Sequence, residues 1–217
     1  MDQMSYILFI CTAAPMLLML IPIEKRSRRV VLFMLIGMFC CLFVSELNGL
    51  LLRLTGADLL YFTTNITPIT EELVKTVPIL LYALHFTKDH RDIVTASFSV
   101  GVGFALLENL MVMMQNAGKV NLLFAVIRGF CSGLMHSICV IIIGFFIIFF
   151  RKYRKVFWAG MISALNFSVV YHSVFNSLVQ ADSVAAHIVG FLLPISSYAV
   201  MTAFFLSKAK RQSTSGQ

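Results

Sequence analysis

The sequence predicts an all-α integral membrane protein of about seven transmembrane helices, with the N-terminus outside and the C-terminus in the cytosol. Three observations predict it. Of the 217 residues, 59% are hydrophobic and only 12% are charged; with a mean hydropathy of +0.89, the chain is far more apolar than a soluble domain. The apolar runs approach the roughly 20 residues a helix needs to cross ~30 Å of hydrocarbon, and are too long for barrel strands. The basic residues cluster in alternate loops, as positive-inside anchors do.

The pattern predicts spans over residues 4–23, 30–52, 66–86, 93–114, 122–150, 156–180 and 185–206. The first run is not a signal peptide: Asp2 precedes it, no Lys or Arg does, and the basic cluster follows it. The third span starts in a polar stretch, Thr63, Thr64, Asn65, Thr67, Pro68 and Thr70. Pro68 suits a first helical turn, and Thr67 or Thr70 suits its cap. The fifth span is long for one crossing, so its start up to Arg128 lies in the interface or tilts. Residues 1–208 read as one polytopic domain, and the polar tail 209–217 as disordered and cytosolic.

Orientation follows from the basic residues. Thirteen of 17 fall in one set of loops, at positions 25–29, 88–91, 151–155 and 208–211, against only Arg53 and Lys119 opposite. Lys75 and Arg128 stand at membrane depth. The net charge of +7 is thus a topological signal rather than a nucleic-acid one. The five cysteines, Cys11, Cys40, Cys41, Cys131 and Cys139, all lie in apolar stretches, with no spacing that suggests a disulfide framework or a zinc knuckle.

Four ionisable residues share one depth. Glu72 is 16 residues from Lys88, Glu108 is 16 from Asp92, His136 is 15 from Arg151, and His172 is 17 from Lys155. At ~1.5 Å per residue all four lie roughly 24 Å from the inner boundary, in the outer part of the hydrocarbon core. Each such group costs about 2.5–3.5 kcal/mol on insertion scales, so a level ring of carboxylates and imidazoles suggests a site. Glu46 is level with them, as an accessory group or one reaching toward the outer surface.

Each member also has a plainer reading. Glu71 and Glu72 form two adjacent carboxylates suited to acid–base work, or a helix start neutralised by Lys75 at i+4 and i+3. Glu108, after Gly101 and Gly103, faces a wet cavity or pairs with Arg128. His136 is a ligand or a packed core residue, with Cys139 one turn on. His172 and Asn176, at i and i+4, present an imidazole and a carboxamide to one point, either as metal ligands, as oxyanion donors, or as an interhelical clamp. Other intramembrane protease signatures are missing: there is no HExxH, Gly103 is followed by Phe104 rather than Asp, and Phe130 stands where GxSG needs Gly.

Glu71-Glu72-Leu73-Val74-Lys75, Gly103-Phe104-Ala105-Leu106-Leu107-Glu108-Asn109, His136, and His172-Ser173-Val174-Phe175-Asn176 together resemble PrsW-type intramembrane proteases. These belong to the superfamily of CAAX-processing and bacteriocin-processing membrane proteases. Glu108 stands where the CAAX branch has a histidine, which favours the PrsW branch; Asn176 stands where some members carry Asp. The resemblance implies a multi-pass protease of a bacterial cytoplasmic membrane. It implies a single-pass, anti-sigma-factor-like substrate, cut near the outer boundary in stress signalling.

Two chemistries are open. In one, Zn²⁺ is held by Glu108, His136 and His172, with Glu72 or Asn176 as a fourth ligand, and Glu71 or Glu72 moves the proton. In the other, a glutamate and a histidine activate water without metal, and His172 with Asn176 forms the oxyanion hole. The alternative function is a transporter or an ion- or small-ligand-binding membrane protein using the same Glu/His ring; no inverted repeat supports it. No nucleic-acid partner is expected.

Overall fold

The structure, a computed structural model, describes residues 3–118 and 121–214, with side chains as far as Ala203. The helices are α1 Gln3–Met19, α2 Lys25–Thr55, α3 Leu59–Tyr61, α4 Thr67–His85, α5 His90–Gln115, α6 Leu122–Phe150, α7 Phe157–Gln180 and α8 Val184–Thr214. A π-helical segment, Phe62–Ile66, joins α3 to α4. The described residues contain no strand, and the chain is an all-α membrane protein.

Each expected span overlaps one helix, although α1 ends at Met19, short of the expected residue 23. Five of them, α2, α5, α6, α7 and the Val184–Ala203 part of α8, are long and apolar enough to cross a membrane, and α1 is a shorter apolar helix. α4 stands apart because Glu71, Glu72 and Lys75 bring three charges into 19 residues, and all three are buried. The backbone stays helical to Thr214, through part of the segment expected as a disordered tail. Residues 215–217, and Lys119 of the outer-loop count, lie outside the described residues.

The capping expectation for α4 does not hold. Thr67 follows Ile66 in right-handed helical geometry, and no side chain caps the start. The turn before it is widened instead: the Thr67 N–H reaches back to the Phe62 carbonyl, one residue further than an α-helix requires. The free N-terminus belongs to α3, where the Asp58 side chain accepts from the Tyr61 N–H at 3.0 Å. Thr70 acts as a tie, donating to Asn48 Oδ1 on α2 at 2.6 Å.

α5 is the central helix, and glycine lets it be so. A Cβ on Gly103 would overlap the backbone of Met34 on α2, one on Gly37 of α2 would overlap the Val100 carbonyl, and one on Gly101 would overlap the Ser137 backbone on α6. Close backbone approach of this kind is the usual basis of helix association in lipid, where apolar burial alone gives little preference between helix and lipid. It brings Glu108 on α5 and His136 on α6 into direct contact. An apolar core of Phe33, Ile79, Ala83, Ile93, Val100, Ile143, Ile147 and Met161 packs around the later turns of α4. Exposed side chains such as Ile162, Phe167 and Val170 on α7 form the lipid-facing surface.

Candidate active site

Four helices each deliver an ionisable side chain to one buried point. Lys75 and His136 expose nothing, Glu72 and His172 keep 1% of their surface, and Glu71 keeps 6%. α4 supplies Glu71, Glu72 and Lys75 within its first turns. α6 supplies His136, α7 supplies His172, and α5 supplies Glu108 at the edge of the group.

Hydrogen bonds set the direction of both imidazoles. His172 Nδ1 donates to Glu72 Oε1 at 2.7 Å, which leaves the Nε2 lone pair facing Glu71 Oε2 at 3.9 Å. His136 Nε2 donates to Glu108 Oε2 at 2.9 Å, which leaves its Nδ1 lone pair facing the same Glu71 Oε2 at 3.9 Å. The two rings are nearly perpendicular, 88° apart, with centroids separated by 5.0 Å. Two lone pairs and one carboxylate oxygen therefore converge, and each histidine is held from behind by a different glutamate. Metal-binding histidines are commonly oriented by such carboxylates.

Glu71, His136 and His172 form a buried group whose ligand atoms all lie within 4.8 Å of one another. Glu71 Oε2 and Glu72 Oε2 are buried without a hydrogen-bond partner. Two ligands on a tetrahedral Zn²⁺ stand about 3.4 Å apart, so the 3.9 Å spacings need to contract by only about half an ångström. The donor set, two nitrogens and one oxygen with an orphaned buried carboxylate oxygen, fits a divalent metal.

The carboxylate in this group is Glu71, whereas the sequence expectation puts Glu108 in the metal set. Level depth fixes height along the bundle but not rotation about each helix. Glu108 stands behind His136, accepting also from Arg128 at 3.1 Å and from Ser132 Oγ at 3.2 Å. Its side chain is 26% exposed and that of Arg128 20%, so this pair borders the open side of the site.

Lys75 is the cation at the centre. Its Nζ donates to Glu72 Oε1 at 2.6 Å and to His136 Nδ1 at 2.8 Å, stands 3.8 Å from Glu71 Oε2, and lies 4.3 Å from the centroid of the Phe104 ring. Both pairings expected from the i+3 and i+4 spacing form, but the contact to His136 on another helix has no signal in the spacing.

Of the three readings of Asn176, the contact formed is the interhelical clamp, not the ligand or the oxyanion donor. Its Nδ2 donates to the Thr63 carbonyl at 3.1 Å, so it holds backbone rather than lying among the ligand atoms. Gln180, one turn further along the same face of α7, accepts from Thr63 Oγ1 at 2.9 Å. Cys139 Sγ faces the Ser168 carbonyl at 3.6 Å and packs with Met135 and Phe175. Glu46 accepts from the Tyr6 hydroxyl.

No curated protein and no solved structure matches the chain. A family model described as the PrsW family of intramembrane metalloproteases matches residues 25–208, a segment that contains every residue of the buried cluster. A charged Glu/His group inside an apolar helical bundle is what such an enzyme requires, and the chain belongs to the PrsW family of intramembrane metalloproteases.

Proposed function

We propose that this multi-pass enzyme uses Zn²⁺ held by Glu71, His136 and His172 to cut a single-pass membrane protein near the outer face of a bacterial cytoplasmic membrane. An anti-sigma-factor-like protein is the substrate class implied by the resemblance to PrsW-type proteases. The observation that supports the metal reading is the unpartnered Glu71 Oε2 facing one lone-pair nitrogen of each histidine at 3.9 Å. The outer-side reading rests on the asymmetry of the basic loops.

A divalent metal supplies Lewis acidity, which makes water acidic enough to attack near neutral pH. The remaining work falls to the chain. Glu72 holds His172 through Oε1 and keeps Oε2 unpartnered, where it can accept the proton of the attacking water and return it to the leaving amine. Glu108 keeps His136 in the Nε2–H tautomer. Lys75 donates to Glu72 Oε1 and to His136 Nδ1, and would have to release that nitrogen for His136 to hold a metal. Arg128, beside Glu108 at the open edge, is positioned to meet the carbonyl of an entering peptide. A helical substrate has to unwind there before its peptide bond is reachable.

The test is co-expression with tagged single-pass proteins, comparing fragment sizes between the wild type and Glu72→Gln. A fragment present with the wild type and absent with the variant is expected. Identical fragments from both would contradict the proposal.

A further inference from the structure

We propose that Asn176 is a positioning residue, whose carboxamide completes a backbone hydrogen bond that Pro68 denies to Thr63 and thereby sets His172 against Glu71 and Glu72. This rests on the reading of those three residues as the reacting group.

The argument begins with the backbone. In an α-helix the Thr63 carbonyl would accept from the Thr67 N–H, but that N–H is taken by Phe62 in the π turn. In the continued π register it would accept from residue 68, which is proline and has no N–H. Thr63 therefore has no donor in its own helix from either register. A half-buried backbone carbonyl left without a donor is costly, and the partner comes from outside: Asn176 Nδ2, at 3.1 Å.

The consequence is geometric. His172, Asn176 and Gln180 occupy one face of α7 at i, i+4 and i+8. Each grips the segment that leads into the two glutamates: His172 on Glu72, Asn176 on the Thr63 carbonyl, and Gln180 on the Thr63 hydroxyl. The π turn creates an acceptor that only a neighbouring helix can satisfy, so the register between α7 and α4 is fixed at that point. Thr63 and Asn176 lie outside the ligand group, yet together they determine which turn of α7 faces Glu71.

The test is a cycle of Asn176→Ala, Pro68→Ala and the paired variant in purified, detergent-solubilised protein. The readouts are the unfolding midpoint in chelator and the zinc affinity by competition. Asn176→Ala is expected to lower the midpoint by roughly 2–8 °C and to weaken zinc binding about 10–100-fold, as loss of an orienting residue does. Pro68→Ala restores an N–H that can reach the Thr63 carbonyl in the π register, and removes the proline so that the turn can also relax to the α register, where the Thr67 N–H serves. It should change little alone and recover both readouts in the pair. A pair no better than Asn176→Ala, or an Asn176→Ala variant equal to the wild type, would overturn the proposal. If Asn176→Ala cannot be purified, recovery of folded protein in the pair is the expected result, and continued loss overturns it. Recovered stability and zinc binding with cleavage still absent would assign Asn176 to the substrate and overturn the positioning role. A wild type that binds no zinc would sink the metal reading instead, while the midpoint cycle still decides Asn176.

Discussion

Lys75 Nζ lies 2.8 Å from His136 Nδ1, the nitrogen whose lone pair also faces Glu71 Oε2. The ammonium would therefore compete for that electron pair with the metal ion of the proposed site. Lys75 also balances Glu71 and Glu72 in a buried site. Replacing Lys75 with Met removes the competitor together with the counter-charge. In chelator, Lys75→Met should lose stability, since breaking a buried pair costs about 3–5 kcal/mol. In zinc it should regain most of that stability and bind the ion more tightly than the wild type. Unfolding midpoints with and without zinc check this; an unchanged zinc affinity would contradict the competition.

On the proposed reading, Glu108 would act through His136, to which it is hydrogen-bonded, rather than as a metal ligand. Glu108→Gln keeps the shape and removes the charge behind His136 Nε2. Zinc affinity should fall about 10–100-fold while one equivalent still binds at saturation. A chromophoric chelator titration reads both quantities. Complete loss of stoichiometric binding would make Glu108 a ligand.

The helix contacts at α5 make a separate prediction. The atoms nearest a Cβ at Gly103 are Met34 backbone, and those nearest one at Gly101 are Ser137 and His136 backbone; backbone cannot swing aside. Gly101→Val and Gly103→Val should each destabilise the bundle by ~1–3 kcal/mol or more, whereas Gly49→Val, which meets nothing within 4 Å, should cost less. Thermal unfolding in detergent ranks the three, and equal midpoints would contradict the close packing.

Much of this was legible because charge is rare in an apolar chain. Glu72, Glu108, His136 and His172 stand out by composition, and counting from the charged residues at the helix ends brings them to one level. The i+3 and i+4 spacing of Lys75 anticipated both of its ion pairs, and the Arg128 reading of Glu108 anticipated that pair. Azimuth was not legible. Depth alone cannot distinguish Glu71 from Glu108 as the carboxylate between the histidines, because that depends on how far each helix is rotated. Nor did HxxxN reveal that Asn176 reaches backbone. The available signal was the polar run before Pro68, where a proline withholds a donor from the preceding turn.

Topology can be checked without any substrate. A reporter fused after Lys210 should read as cytosolic, and one inserted near Gly118 as external, because 13 of the 17 basic residues lie in the opposite loops. The reverse pattern would move the buried group to the inner half of the membrane and remove the case for cleavage at the outer face.

The most direct test of the site is the zinc content of purified protein, measured by elemental mass spectrometry, for the wild type, Glu71→Ala and Glu108→Ala. The expected result is about one zinc per chain in the wild type, loss in Glu71→Ala, and partial retention in Glu108→Ala. Full zinc in Glu71→Ala with loss in Glu108→Ala would contradict the Glu71, His136 and His172 centre.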